Sequence, residues 1–198
     1  MKNTKKFVTI AMLGALATVL MTLKFPLFVP FYKLDASEAV VLIGSYLLGP
    51  IAGVAIEAIK VLLNLLIDGT VTAGVGEAAN FIMGCSLVVP AGLIFKKNPT
   101  LKGAIIGGAV GIVCLSLTAS LLNLYVLLPA YAAAFGMELK AIVAFGTKVN
   151  ANADTLTSFI VYITLPFNLI KGAASVFLAS LLYSKTGELL KKLFKSEI

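Results

Sequence analysis

Polar side chains stand inside several stretches of this sequence that are otherwise apolar, and they are the residues best suited to bind a ligand. Glu77 and Asn80 are three residues apart, and so are Asn168 and Lys171, a spacing that places both members of a pair on one face of a helix. Asn123 is a further polar residue of this kind. A charge in the middle of a membrane costs at least about 2.5–3.5 kcal/mol, so it usually faces a cavity or a partner. We predict that these residues line a pocket with hydrogen-bond donors, acceptors and one charge of each sign.

Backbone features adjoin both pairs. Gly74, Val75 and Gly76 directly precede the first pair, and a glycine-rich start to a helix lets backbone amides approach a ligand closely. Pro166 precedes the second pair. Because proline has no N–H to donate, it can kink the helix and free a carbonyl beside the site.

Structural alternatives exist for these polar residues. Lys171 could be an ion-pair partner of Glu77, and Asn123 could bond a carbonyl of a neighbouring helix, as buried amides do in membranes. Glu57 and Lys60, also three residues apart, are favoured to satisfy each other. The glycines at 103, 107 and 111 repeat every four residues and are interpreted as a surface for close helix packing.

The sequence lacks the parts of several kinds of catalytic site. It has no histidine, which excludes histidine-based zinc proteases and histidine-relay catalysts. Cys85 and Cys114 lie apart in apolar stretches and are interpreted as packing residues, since metal sites use clustered ligands. No Gly-x-x-x-x-Gly-Lys-Ser/Thr string occurs, so the chain has no phosphate-binding loop of that kind with which to hydrolyse ATP. We predict no enzyme activity, no cofactor and no metal, so that uphill transport would need an ion gradient or another subunit.

The composition requires a membrane. Of the 198 residues, 60% are hydrophobic and 13% are charged, against roughly 45–50% and about 25% in soluble domains. A chain this short keeps too much surface to hide the excess in one soluble core. Because a spanning helix needs about 20 mostly apolar residues, the sequence predicts an all-α integral membrane protein, a single domain over 1–198, with six transmembrane helices over 6–24, 36–49, 51–68, 75–95, 102–128 and 156–184.

Prolines and one polar stretch set the boundaries of these helices. Gly49-Pro50 separates the second helix from the third, and Pro129 is predicted to end the fifth, because proline resists helix continuation. The more polar stretch 136–153 is predicted to contain a short surface helix around 138–144.

The lysines predict the orientation. With six spans both termini share one side, and that side collects most of the lysines outside the spans: Lys2, Lys5, Lys6, Lys96, Lys97, Lys102, Lys185, Lys191, Lys192 and Lys195. The other side has Lys24, Lys33, Lys140 and Lys148 together with Asp35, Glu38, Asp68, Glu138 and Asp154. The positive-inside bias therefore places both termini in the cytoplasm, where the net charge of +7 faces lipid headgroups. Nucleic-acid binding is disfavoured, because arginine and tryptophan are absent and no basic stripe is interleaved with aromatics.

Several segments of the sequence resemble those of a known protein family. Gly74-Val75-Gly76-Glu77-Ala78-Ala79-Asn80-Phe81, then Asn123, then Asn168-Leu169-Ile170-Lys171-Gly172 are similar to the riboflavin-specific substrate-binding (S) components of energy-coupling factor (ECF) transporters. The resemblance covers nearly the whole chain and includes 35–39, 49–53 and 57–60. The chain departs from the family pattern at Ala78 and in the stretch Asp35-Ala36-Ser37-Glu38, where Asp-Phe-Ser-Asp is expected.

The resemblance implies a function and a site. A six-helix S component in a bacterial-type plasma membrane would capture riboflavin from outside, with the segments 25–35 and 136–153 closing over it. The residues that would contact the vitamin are Gly74, Val75, Gly76, Glu77, Asn123, Asn168 and Lys171, with Asn80 as a looser inference. Ala11 and Ala15 match the family's Ala-x-x-x-Ala surface, which docks on a transmembrane T component, and two ATPase subunits would drive release.

Other functions remain open at this stage. One alternative is an S component for biotin, thiamine or pantothenate, although a lysine in the pocket disfavours cationic thiamine. Another is an intramembrane acyl- or phospho-transferase acting on lipid, but the best acid–base pair, Glu77 with Lys171, has no evident nucleophile or metal beside it. A purely structural scaffold is disfavoured by the number of polar residues held inside the spans.

Overall fold

The fold is a bundle of long helices, seen in a computed structural model that describes residues 2–194, with side chains for 4–185. The side chains of Lys2, Lys191 and Lys192, and Lys195 entirely, lie outside the described part, so their predicted cytoplasmic placement stays a prediction. The elements are α1 (Lys2–Thr22), β1 (Phe25–Leu27), β2 (Val29–Leu34), α2 (Ser37–Leu48), α3 (Pro50–Asp68), α4 (Val75–Lys97), α5 (Leu101–Leu122), α6 (Leu128–Ala134), α7 (Leu139–Thr147), α8 (Leu156–Phe159) and α9 (Leu165–Phe194).

Two π-helical turns join shorter helices into long ones. Asn123–Leu127 connects α5 to α6, and Ile160–Thr164 connects α8 to α9. The prediction that Pro129 ends the fifth span is therefore wrong, because the helix continues to Ala134. Pro129 lies at the very start of α6, directly after a widened turn, where the missing N–H and the bulk of the ring are tolerated.

Five of the six predicted spans are long and apolar enough to cross a membrane, over Thr4–Thr22, Pro50–Asp68, Val75–Lys97, Leu101–Ala134 and Leu156–Lys185. The other, α2, has 12 residues and measures about 18 Å at 1.5 Å per residue. Every residue of α2 is buried. It is an inner helix that the other helices surround, and its Gly49-Pro50 boundary with α3 is confirmed.

Small residues set how closely the long helices approach. A Cβ atom added at Gly107 would lie 2.6 Å from the carbonyl oxygen of Ala91, and one at Gly111 would lie 2.4 Å from that of Leu87. Both carbonyls belong to α4, so the predicted glycine surface of α5 is a close contact with α4. Gly108, on a neighbouring face, similarly admits Val176 of α9.

The two segments predicted to close over a ligand have defined structures. Segment 25–35 is mostly an antiparallel hairpin in which Phe25 pairs with Leu34 and Pro26 with Lys33, a pairing that the sequence analysis did not predict. The polar stretch contains α7 (Leu139–Thr147), which confirms a short helix there. The hairpin and α7 pack in one hydrophobic cluster with α6, α8 and the start of α9. Helices α1 to α5 and the rest of α9 form a second hydrophobic cluster.

Candidate ligand-binding cavity

A cavity of about 620 Å³ opens among the hairpin and helices α1, α3, α4, α6, α7 and α9. This volume is typical of sites for small ligands, which run from about 300 to 1,000 Å³. Its aromatic wall is Phe31, Tyr131, Phe135, Phe145 and Phe167, and its charged groups are Lys24, Lys33, Asp35, Asp68, Glu77 and Lys171. Lys24, Lys33 and Asp68 all belong to the side that the lysine distribution predicts to be outside, so the cavity opens toward that side.

A second, smaller cavity of about 40 Å³ adjoins the first. The two share Asn80, Met83, Phe167 and Lys171 as lining residues, so the smaller one is an inner extension of the larger. We call it the inner pocket. It is also lined by Glu38 and Asn168.

The structure brings most of the predicted site residues together. Gly76, Glu77, Asn80 and Lys171 line the large cavity, and Asn168 lines the inner pocket. Gly74, Val75 and Asn123, also predicted to contact the ligand, line neither of these two cavities.

Threonines organise the glycine-rich start of α4. Gly74 adopts a left-handed conformation, with φ of 91°, which favours glycine. Its N–H donates to Thr70 Oγ1 at 2.8 Å, and the N–H of Gly76 donates to Thr72 Oγ1 at 2.8 Å. The Thr70 hydroxyl donates in turn to Glu77 Oε2 at 2.9 Å. Sequence reasoning missed both threonines, which occupy the backbone amides that were predicted to meet the ligand.

Lys171 forms its ion pair with Asp35 and not with Glu77. Its Nζ lies 3.3 Å from Asp35 Oδ2, and the alternative in which Lys171 pairs with Glu77 is wrong. Burial alone raises the pKa of the Asp35 carboxyl, but the ammonium groups of Lys171 and Lys60 and hydrogen bonds from Ser37 bring it below its ordinary value. Asp35 is thus held as a carboxylate at the cavity wall.

The side chain of Asn123 is hydrogen-bonded to the hairpin. The Tyr32 hydroxyl donates to Asn123 Oδ1 at 2.8 Å and lies 2.6 Å from Thr164 Oγ1, while Asn123 Nδ2 donates to the carbonyl of Ala119 at 2.8 Å. The bonded carbonyl is one turn back in the same helix, so the alternative of an interhelical carbonyl is wrong in that detail. Burial raises the pKa of the Tyr32 hydroxyl far above its usual range, so the hydroxyl keeps its proton. Tyr32 was also missed by sequence reasoning.

A buried charge cluster lies behind the inner pocket. Lys60 Nζ is 2.6 Å from Glu38 Oε1 and 2.8 Å from Glu57 Oε1, and the side chains of Lys60 and Glu57 are fully buried. The predicted pairing of Glu57 with Lys60 is therefore confirmed, with Glu38 as a second partner. A Cβ atom at Gly84 would lie 2.3 Å from Glu57 Oε1, so the glycine leaves room for this carboxylate against α4.

At the cavity's rim, Lys24 and Asp68 form an ion pair that joins the end of α1 to the end of α3. Asn64 Nδ2 donates to the same Asp68 oxygen at 3.0 Å. Groups held at this opening have access to water, so they are suited to a polar part of a ligand.

The sequence matches the family described as "ECF transporter, substrate-specific component" over residues 5–183. Its similarity to individual proteins also runs along almost the whole chain. It is 34% identical to the riboflavin transporter FmnP of Bacillus subtilis (strain 168), covering 91% of each chain. It is likewise 34% identical to the riboflavin transporter RibU of Staphylococcus aureus (strain TCH60), covering 98% of this chain and 96% of that protein.

A solved structure supports the same relationship in three dimensions. The chain superposes with a TM-score of 0.74 on a structure described under "Structure and mechanism of the S component of a bacterial ECF transporter". The two are 32% identical, and the match covers 96% of this chain and 99% of the other.

Proposed function

Because this chain belongs to the family of ECF transporter substrate-specific components, we propose that it binds riboflavin in the large cavity and its inner pocket, as the capture subunit of a vitamin uptake system. The observation that carries the proposal is that relatives at 34% identity over nearly the full chain are riboflavin transporters. The long apolar helices fit a multi-pass protein of the bacterial cell membrane.

The chemistry of the cavity suits this vitamin. Riboflavin has a flat ring bearing carbonyl groups and an imide N–H, and a ribityl chain bearing hydroxyls. The aromatic side chains of the cavity wall can pack against the ring. Lys171 and asparagine amides can donate to carbonyls, and the carboxylates can accept from hydroxyls or from the N–H.

The site residues proposed to contact the vitamin are Gly74, Val75, Gly76, Glu77, Asn80, Asn123, Asn168 and Lys171. Four of them line the large cavity, and a fifth, Asn168, lines the inner pocket. Of those that line neither, Gly74 and Asn123 would become accessible if the ligand displaces Thr70 and Tyr32 from their hydrogen bonds, as the segments 25–35 and 136–153 close.

The chain is also proposed to assemble in the membrane with partner subunits. The chain spans the membrane six times as one domain, counting the short α2, with both termini in the cytoplasm. It hydrolyses no ATP itself, and it docks through Ala11 and Ala15 on a T component that two ATPase subunits serve. Both alanines are exposed on α1, which leaves them accessible to a partner helix.

The test is a titration of detergent-purified protein, prepared without ligand, with riboflavin while the quenching of flavin fluorescence is followed. We expect tight one-to-one binding that weakens by about 10-fold or more in Lys171→Ala, since a hydrogen bond from a charged donor contributes about 1.5–3 kcal/mol. Lys102→Ala, at an exposed lysine outside both cavities, is the matched control and should bind normally. Absence of binding at micromolar protein, with circular dichroism showing an intact fold, would contradict the proposal.

A further inference from the structure

The hairpin of β1 and β2, with the residue pair that leads into it, has an exposed apolar edge. Between 23 and 30 every side chain in the exposed class is apolar, and these residues, which we call the hairpin edge, are Leu23, Phe25, Pro26, Phe28 and Pro30. Leu23, Phe25 and Phe28 are 69%, 54% and 37% exposed. Contact of such a continuous apolar surface with water is unfavourable, so the edge is expected to be covered by something outside the chain.

The backbone at the tip of the hairpin is strained at a large apolar residue. Phe28 has φ of 68°, in the left-handed region where turns favour glycine or asparagine. Of the non-glycine residues that the structure describes, only Phe28 and Ala73 have a positive φ. Such strain persists where the surroundings stabilise it, yet more than a third of the Phe28 side chain is left uncovered by the chain. A contact from outside the chain that covers this ring would offset the strain.

The hairpin edge lies where the span of α1 ends. That span, Thr4–Thr22, has 19 residues and measures about 28 Å at 1.5 Å per residue, close to the thickness of about 30 Å of a bilayer's hydrocarbon core. Leu23 follows directly, and β1 begins at Phe25. Leu16 and Val19, which are 50% and 58% exposed, share a face of α1 with Leu23. The lipid-facing surface of α1 therefore continues into the hairpin edge, which lies at the level of the lipid headgroups.

The charges beside the hairpin edge suit a phospholipid surface. Lys33 is exposed and pairs across the hairpin with Pro26 of the edge. The segment 23–34 contains two lysines and no acidic residue, so it attracts phosphate groups. A lysine can lay its stem along apolar surface while its ammonium group reaches the headgroups, and aromatic side chains are enriched at the same level of a membrane.

We propose that the hairpin edge is a membrane-contact surface that inserts Phe25 and Phe28 among the phospholipid headgroups of the leaflet on the side where the large cavity opens. The occupant is lipid, because the edge continues a lipid-facing helix surface and combines aromatic rings with lysines at the end of a span. Phe31 and Lys33 of the same hairpin line the large cavity. The lipid contact therefore holds one wall of the cavity mouth at the membrane surface, whichever ligand the cavity binds.

The experiment measures the depth of a single indole in a bilayer. The chain has no tryptophan, so Phe28→Trp and Phe25→Trp each introduce one fluorophore and keep an aromatic residue in place. The full-length variants are reconstituted in vesicles of phosphatidylcholine and phosphatidylglycerol whose acyl chains are brominated either near the headgroup or near the chain end. Val113→Trp, halfway along α5 at a side chain that is 57% exposed, is the control for the hydrocarbon core. Asn152→Trp, in the exposed loop between α7 and α8, is the control for water.

We expect bromines near the headgroup to quench Phe28→Trp and Phe25→Trp about twice as strongly as bromines near the chain end, because indole rings at a headgroup position lie closer to the former. Val113→Trp should show the opposite order. Asn152→Trp should be quenched by acrylamide in water and by neither brominated lipid. The emission of the two hairpin variants should be shifted to shorter wavelength than that of Asn152→Trp.

Three results would overturn the membrane contact. The hairpin variants could be quenched by acrylamide as strongly as Asn152→Trp and by neither lipid, which would place the edge in water. They could be protected from acrylamide only within the complete transporter, which would identify a protein as the occupant. Quenching in the order of Val113→Trp would place the hairpin in the hydrocarbon core. Phe25→Trp gives an independent reading if Phe28→Trp, at the strained position, does not fold by size-exclusion chromatography. Riboflavin is absent from the assay, so failure of the proposed function would leave these outcomes unchanged.

Discussion

At the residue scale, the ion pair between Lys171 and Asp35 links ligand binding to stability. The Asp35 side chain is 3% exposed, so removal of Lys171 leaves a buried carboxylate without its nearest cation. Breaking a buried pair by removing one partner costs about 3–5 kcal/mol, whereas replacing both can be nearly neutral. Loss of binding in a Lys171 variant therefore has to be separated from loss of fold.

We predict that Lys171→Met lowers the free energy of unfolding by about 3 kcal/mol and also weakens riboflavin binding. Adding Asp35→Asn should restore much of the stability without restoring the affinity, because the neutral pair no longer leaves a buried charge but still lacks the ammonium donor. Thermal unfolding and fluorescence titration of the two single variants and the double variant check this. If the double variant also regained affinity, Lys171 would not be a ligand contact.

Tyr32 holds the hairpin to two helices through one hydroxyl. We predict that Tyr32→Phe destabilises the protein by about 1–3 kcal/mol, since it leaves Asn123 and Thr164 without their buried partner. The effect should appear as lower thermal stability and faster amide hydrogen exchange in the hairpin 25–34. The control is Tyr162→Phe, at a tyrosine that is 44% exposed. Equal effects of the two substitutions would contradict the role given to the Tyr32 hydroxyl.

Sequence reasoning found the polar residues within the spans but not all of their partners. Glu77, Asn80, Asn168 and Lys171 could be predicted to share a site, because a polar group in an apolar stretch needs a cavity or a partner. Asp35 and Tyr32 could not be paired from sequence, because they lie 136 and 91 residues away from Lys171 and Asn123, respectively. Local spacing carries no information about such contacts.

At the element scale, the approach of α5 to α4 depends on glycine. We predict that Gly111→Leu destabilises the protein by about 1–3 kcal/mol or more, because even a Cβ atom at this position would lie 2.4 Å from the carbonyl oxygen of Leu87. Ala109→Leu, two residues earlier at an exposed position of the same helix, is the control and should be tolerated. Fluorescence-detected size-exclusion chromatography after heating compares the variants. Equal melting of both would show that α5 can move away from α4 at little cost.

The lengths of the helices were only partly predictable. Gly49-Pro50 ends α2 as expected, because glycine leaves the helix with φ of 90° and proline begins the next helix. Pro129 does not end its helix, because the preceding π-helical turn accommodates the proline ring. From sequence alone, a proline in an apolar stretch does not show whether the helix ends there or continues past it.

At the scale of the whole molecule, the exposed face of α1 is proposed to meet a partner protein. We predict that Ala15→Trp abolishes riboflavin uptake by cells carrying the complete transporter, because a large ring blocks close helix contact. Riboflavin affinity in detergent should be unchanged, because Ala15 does not line the cavity. Val113→Trp, at a side chain that is 57% exposed on α5, is the control for bulk on a lipid-facing surface. Normal uptake by the Ala15 variant would exclude this face of α1 as the docking surface.

The enclosed position of α2 has a consequence for how the protein is made. A helix of 12 residues, all of them buried in the finished bundle, is too short to cross a bilayer core of about 30 Å by itself, and it carries Glu38, the partner of Lys60 on α3. As the nascent chain leaves the ribosome, α2 should therefore enter the membrane together with α3, as a hairpin in which the two opposite charges are already neutralised. Of its other neighbours, α1 is synthesised earlier, whereas α4 and α9 follow later, so α2 is fully enclosed only after α9 has been inserted.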